Sequence, residues 1–211
     1  WSSPHGYAAA YRRGEQAYQS LALAGYPVFC FDFMGFGRRI EEVEGFHARL
    51  PHWSQLGHMV RDARAALDAM TELPYVAPDQ IYVVGYGLGA MVALHLAALD
   101  ERPAGYALVC APPPFRLDTD VARTGGIRRW AQVQMLLPQL GYFSGREDRI
   151  PYDVDELLGC MAPRPLLLVS PTLDREAPLA LMHAAAAHAT AAYALYGAEQ
   201  LFQHETPVTY N

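Results

Sequence analysis

The chain has 211 residues, of which 52% are hydrophobic and 18% charged, a balance that excludes a disordered polypeptide and suits a single domain with one buried core. Sixteen basic against 22 acidic side chains give a formal charge of -6, so the positive footprint needed to hold a phosphate backbone is missing and nucleic acid is not an expected partner. All the basic residues are Arg, which excludes mechanisms built on a Schiff-base or P-loop lysine.

Cys30, Cys110 and Cys160 are odd in number and lie in apolar stretches, so they are expected as reduced core residues rather than a disulfide framework. No apolar run reaches the roughly 18 to 20 residues that span a bilayer, and no basic, then apolar, leader opens the chain. A soluble, cytoplasmic protein without a membrane partner is the expectation. The first residue is Trp1 rather than Met, so the chain is expected to be a processed or truncated product.

Residues 8–24 have helical spacing, ended by Gly25 and Pro27. Residues 26–31 form a short continuous apolar run that predicts a strand covered on both faces, and residues 32–37 turn the chain out of it. Ser54 can cap a helix running to about Leu73; residues 81–84 predict a strand, then a glycine turn and a helix through Leu99. Residues 106–110 predict another strand, stopped by Pro112, Pro113 and Pro114. Periodicity weakens over residues 115–155, as expected of a lid-like insertion over a sheet edge. Residues 165–170 predict a strand, 177–195 an alanine-rich helix and 199–204 a last strand.

Short apolar strands alternating with helices of ten or more residues imply βαβ crossovers, hence an α/β fold with a mostly parallel sheet and helices on both faces. Ligands of such sheets sit at the carboxyl ends of the strands. The residues following Phe31, Val84, Cys110, Ser170 and Gln203 are therefore the ones to inspect.

The run Gly85-Tyr86-Gly87-Leu88-Gly89-Ala90 fits two motifs that share a strand, a tight turn and a helix start. One is the nucleophile elbow G-x-S-x-G, whose strained turn lifts a reactive side chain off the strand; here Gly87 stands where Ser belongs. The other is the dinucleotide fingerprint G-x-G-x-x-G/A, a Rossmann reading that requires an acid at the end of the next strand. That strand ends in Val109-Cys110-Ala111-Pro112, without an acid, and the elbow is the better match.

Around this turn the chain resembles the α/β-hydrolase family, in its dienelactone hydrolase and acetyl xylan esterase-like branch. The resemblance rests on three stretches: residues 25–38 before the elbow, residues 79–93 through it, and residues 162–174, which are similar to the strand carrying the triad acid. It implies the order nucleophile, acid, histidine. Gly87 then holds the nucleophile position, Asp174 the acid and His204 the base, with His5 competing for the last. One oxyanion N–H would come from Leu88 and another from the loop His5-Gly6-Tyr7, while Tyr86 stands beside the empty slot. No metal or cofactor is expected. The spacing of His47, His52 and His58 does not put imidazoles on one helical face.

Glycine cannot attack a carbonyl, so this form is expected to bind a small ester or acyl substrate far better than it cleaves one. The function expected is that of a carboxylic-ester hydrolase scaffold, natural or engineered, lacking its nucleophile. A lyase, a cyclase or a small-molecule binder built on the same fold is the alternative. The resemblance further implies a strand between those at 26–31 and 81–84, for which too few residues precede His5. A missing N-terminal segment or a second chain is expected to complete the sheet.

Overall fold

The apolar runs beyond residue 80 pair as their sequence predicts. β1 (Tyr82–Tyr86), β2 (Gly105–Val109), β3 (Leu166–Val169) and β4 (Phe202–Glu205) form a parallel sheet in that order. The structure is a computed structural model in which residues 17–209 are described, and the chain divides into two units, residues 1–59 and 60–211.

In the first unit, α1 (Ala17–Leu23) ends at Gly25, whose φ is 93°, and α2 (Phe46–Arg49) starts after Gly45. Residues 26–31 depart from expectation: they are extended but form no strand, and Tyr26 and Phe29 are exposed. An apolar run becomes a strand only when a neighbouring backbone takes up its N–H and C=O groups, and these residues are not part of the sheet. The turn after them is held by Asp32, whose carboxylate accepts the Arg38 N–H at 3.1 Å. α3 (Gln55–Thr71) follows, and Ser54 Oγ accepts the Gly57 N–H at 2.9 Å, the cap its sequence predicts.

In the second unit, α4 (Leu88–Leu99), α5 (Val154–Gly159) and α6 (Leu179–Leu195) pack in sequence, α4 on α5 and α5 on α6. Strand register explains which side they cover. Gly85, Leu108, Leu168 and His204 form one row across the four strands, and Gly85 and the two leucines are buried. Phe202, two residues below His204, stacks on Tyr193 of α6 at 5.5 Å. Tyr82, Val84 and Tyr86 point the other way and are exposed. The insertion at 115–155 is a chain of short 3-10 turns and one π turn around buried Phe115, Ile127 and Trp130.

Two of the three cysteines also depart from expectation. Cys30 and Cys160 are exposed, the first on the unpaired stretch and the second just past the end of α5, while Cys110 is half-buried. An apolar neighbourhood in sequence does not bury a residue whose own element has a free side.

The amino ends of β2 and β3 are fastened by charge. Arg164 donates to the carbonyls of Ala97, Asp100 and Cys160, tying α4 and α5 together beneath the sheet. The Asp100 side chain, 4% exposed, accepts from Arg102 at 2.6 Å and Arg64 at 3.3 Å. Hydrogen bonding from Arg102 holds its carboxyl down to about 2, from 3.8. A depressed carboxyl stabilises the fold above its unfolded pKa, and that contribution is lost as pH falls through its folded one. Unfolding in urea is expected to lose on the order of 2 kcal/mol of stability from this carboxyl between pH 4 and 2. In Asp100→Asn that part of the acid dependence is absent; an unchanged acid profile in the variant would contradict the assignment.

Candidate active site

The junction of β1 and α4 is dictated by its glycines. A Cβ at Gly85 would lie 2.5 Å from the Gly89 carbonyl oxygen and 2.6 Å from the Ala90 nitrogen, so only glycine lets the helix start this close to the strand. Gly87 reverses the chain with φ 53° and ψ −109°, a positive-φ backbone that costs other residues on the order of 1–3 kcal/mol. Its N–H donates to Val109 O at 2.9 Å and its carbonyl accepts from Met91 N at 3.0 Å, the first bond of the helix. Both sides of the turn are thereby fixed. A Cβ on Gly87, in contrast, would meet nothing within 4 Å.

Leu88 is the first residue of α4, so its N–H has no intrahelical acceptor and stands at the positive end of the helix dipole. That is where an oxyanion would be stabilised. Tyr86, the last residue of β1, is half-exposed and hydrogen-bonds through its side chain to Cys110. Cys110 follows β2 in a left-handed backbone, φ 52°, with its N–H on Val169 O at 3.0 Å. Burial first, and then the charge of Asp174, push its thiol up to about 11, against the Tyr86 hydrogen bond. A thiol held there stays protonated and is a poor nucleophile.

Asp174 lies in the turn after β3. Its Oδ1 accepts the N–H groups of Glu176 at 2.9 Å and Ala177 at 3.3 Å. The turn is tied in addition to the chain leaving β4, with Thr172 N–H on Pro207 O at 2.9 Å and Leu173 N–H on Thr209 O at 3.1 Å. Tyr86, Cys110 and Asp174 therefore follow one another along the carboxyl edge of β1, β2 and β3.

His204 is placed differently. It is the third residue of β4, in register with Leu168, and its Nε2 lies 3.0 Å from Ser170 Oγ. The ring of His183 on α6 stands beside it, centroids 5.2 Å apart. Burial, then the neighbouring His183, lower its pKa against the opposing pull of Glu205, so the imidazole is neutral at pH 7. Three strand spacings of about 4.8 Å put it about 14 Å from β1 along the sheet, farther than an imidazole reaches. Its hydrogen bond goes to Ser170, four residues before Asp174, rather than to Asp174 itself.

His5, Gly6 and Tyr7 lie outside the described residues. Among the described residues no three His, Cys, Asp or Glu side chains gather as metal ligands, and no helix is long and apolar enough to cross a membrane. Sequence reading singled out neither Cys110 nor Ser170 as a site side chain. The signal available was their position at strand ends, Cys110 just before the proline run.

Comparison with known proteins agrees with this fold. YtaP of Bacillus subtilis (strain 168), itself only proposed to be a hydrolase, is 29% identical over 187 residues, covering 87% of this chain and 58% of YtaP. A glucuronoyl esterase from Teredinibacter turnerae T7901 superposes with a TM-score of 0.63 at 23% identity, over 74% of this chain and 43% of that one. A Bacteroides fragilis NCTC 9343 protein proposed to be an acetyl xylan esterase gives 0.65 at 19% identity, over 90% and 49%. At these identities the structural likenesses speak for the fold, and the chain spans about half the length of these relatives.

The glycine pair separates two kinds of constraint. Gly85→Ala is expected to destabilise by about 2 kcal/mol through the backbone overlap. Gly89→Ala, with nothing within 4 Å of the new Cβ and a helical backbone, should be neutral or stabilise by about 0.4–1 kcal/mol. Urea denaturation of both variants reads this; equal effects would contradict the tight junction.

Residues 4–158 match the family model Hydrolase_4, described as serine aminopeptidase, S33, and with a parallel sheet bearing a strand–glycine–helix elbow the chain belongs to that α/β-hydrolase family.

Proposed function

We propose that the carboxyl edge of the sheet is an ester-binding site of esterase type whose nucleophile position, Gly87, carries no attacking atom. The observation that supports this most is the backbone of Gly87, forced to positive φ between β1 and α4 while the space a side chain would fill is open. In this reading the Leu88 N–H takes the carbonyl oxygen, Tyr86 borders the acyl group, and Asp174 is the acid. His204, bonded to Ser170 and about 14 Å from β1, would act as the base only after the end of β4 rearranges to carry its imidazole toward position 87. The His5-Gly6-Tyr7 loop would give the second oxyanion N–H, and the whole protein would include a segment or second chain that completes the sheet beyond β1. The name of YtaP and the ester substrates in the names of the structural neighbours are consistent with a small ester or acyl ligand.

Chemistry follows from the missing atom. Without a hydroxyl at position 87 no acyl-enzyme can form, and loss of a nucleophile in triad enzymes lowers turnover by roughly a millionfold while binding and the oxyanion site remain. The glycine form is therefore expected to bind esters without turning them over. Gly87→Ser is expected to release a burst of p-nitrophenol from p-nitrophenyl acetate, with turnover at least roughly 10³-fold above the glycine form. His204→Ala in that background should abolish the burst if His204 is the base. A folded Gly87→Ser protein, carrying the rest of its natural chain, that gives neither burst nor turnover would overturn the reading.

A further inference from the structure

All three functional groups of Glu176 are engaged, and they face two directions. Its N–H donates to Asp174 Oδ1 at 2.9 Å. Its carbonyl accepts the Gly125 N–H at 2.7 Å, and its carboxylate is paired with Arg129, both partners belonging to the insertion. The approach is close enough to demand glycine: a Cβ on Gly125 would lie 2.7 Å from the Glu176 Cβ and 3.1 Å from its carbonyl oxygen.

Behind this contact the insertion is stiff. The Gly125 carbonyl accepts from the indole N–H of buried Trp130 at 3.0 Å. Asp118, fully buried, accepts the N–H groups of Thr124 at 2.8 Å and Arg128 at 2.9 Å. Arg128 in turn reaches Glu147 at 3.1 Å, so the arms of the insertion on both sides of Gly125 are braced together.

We infer that Gly125 and Arg129 are positioning residues which, through Glu176, set the Asp174 carboxylate and couple it to the insertion. The exposed ion pair contributes little by itself, since such pairs are worth about 0–1 kcal/mol. The ion pair and the backbone bond at Gly125 hold Glu176 together, so losing either loosens the acid turn. The insertion then does more than border a pocket: a ligand that shifts residues 125–130 shifts the acid with them. The functional meaning of this coupling rests on the acid role proposed for Asp174; the coupling itself does not.

Cys110 reports on it, because the charge of Asp174 acts on its thiol. In a Cys30→Ser, Cys160→Ser protein, kept in the glycine form, iodoacetamide reacts with Cys110 alone. Moving Asp174 away lowers the thiol pKa and speeds alkylation. Gly125→Ala is expected to raise the rate at pH 8.5 by about threefold or more. Gly141→Ala is the control: it lies in the insertion but outside residues 125–130, and its Cβ would meet the Ala131 Cβ at 3.7 Å, an ordinary contact. Its alkylation rate should not change. Equal rates in the two variants, both fast or both unchanged, would overturn the inference. If Gly125→Ala does not fold, Arg129→Met decides, with acceleration of twofold or more in support and an unchanged rate against. No turnover is needed, so a Gly87→Ser protein without esterase activity would sink the site reading while leaving the coupling decided separately.

Discussion

The structure depends on how closely α4 can begin over β1. The overlap that any Cβ at Gly85 would create with the Gly89 carbonyl leaves one geometry for the junction, and that geometry obliges Gly87 to take a positive φ. Ladder bonding to Val109 and the first helical bond to Met91 then hold the bend from either side. The strain is imposed by packing rather than chosen locally, which is the condition under which strained backbone persists at functional sites. What is unusual is the residue that bears it: glycine makes the bend inexpensive and leaves its outward space vacant.

From that bend the carboxyl edge of the sheet can be followed strand by strand. Tyr86 reaches Cys110, Cys110 feels Asp174, and the Asp174 turn is laced to the chain leaving β4. Each link joins neighbouring strands, so the sheet order alone brings residues 86, 110 and 174 together although 88 positions separate the outer two. The edge offers an anion-stabilising helix end, a protonated thiol and a carboxylate with one oxygen committed to backbone N–H groups.

Much of this was readable beforehand because it is local. The glycine spacing at 85, 87 and 89 encodes a strand-to-helix turn, and Ser54 and the alanine-rich run to Leu195 mark their helices without reference to anything distant. Asp174 could be placed on a turn because prolines flank it at 171 and 178. Failures were of pairing. Residues 26–31 have strand composition, yet a strand exists only with a neighbour to bond. The last strand starts at Phe202 rather than 199, with a 3-10 turn before it, so His204 is interior to β4 and its side chain turns toward Ser170 and His183. The left-handed backbone of Cys110 and the threefold engagement of Glu176 have no signature in the sequence, since each is imposed by contacts that fold topology creates.

The central claim is that position 87 is a nucleophile site emptied of its nucleophile. Labelling of Gly87→Ser with a fluorophosphonate, mapped by peptide mass spectrometry, tests it directly, because such probes modify a serine only where a base and an oxyanion site activate it. The account predicts a phosphonyl adduct on residue 87 that is absent from the glycine form. A folded variant that stays unlabelled, or an adduct on Ser170 in place of residue 87, would contradict it.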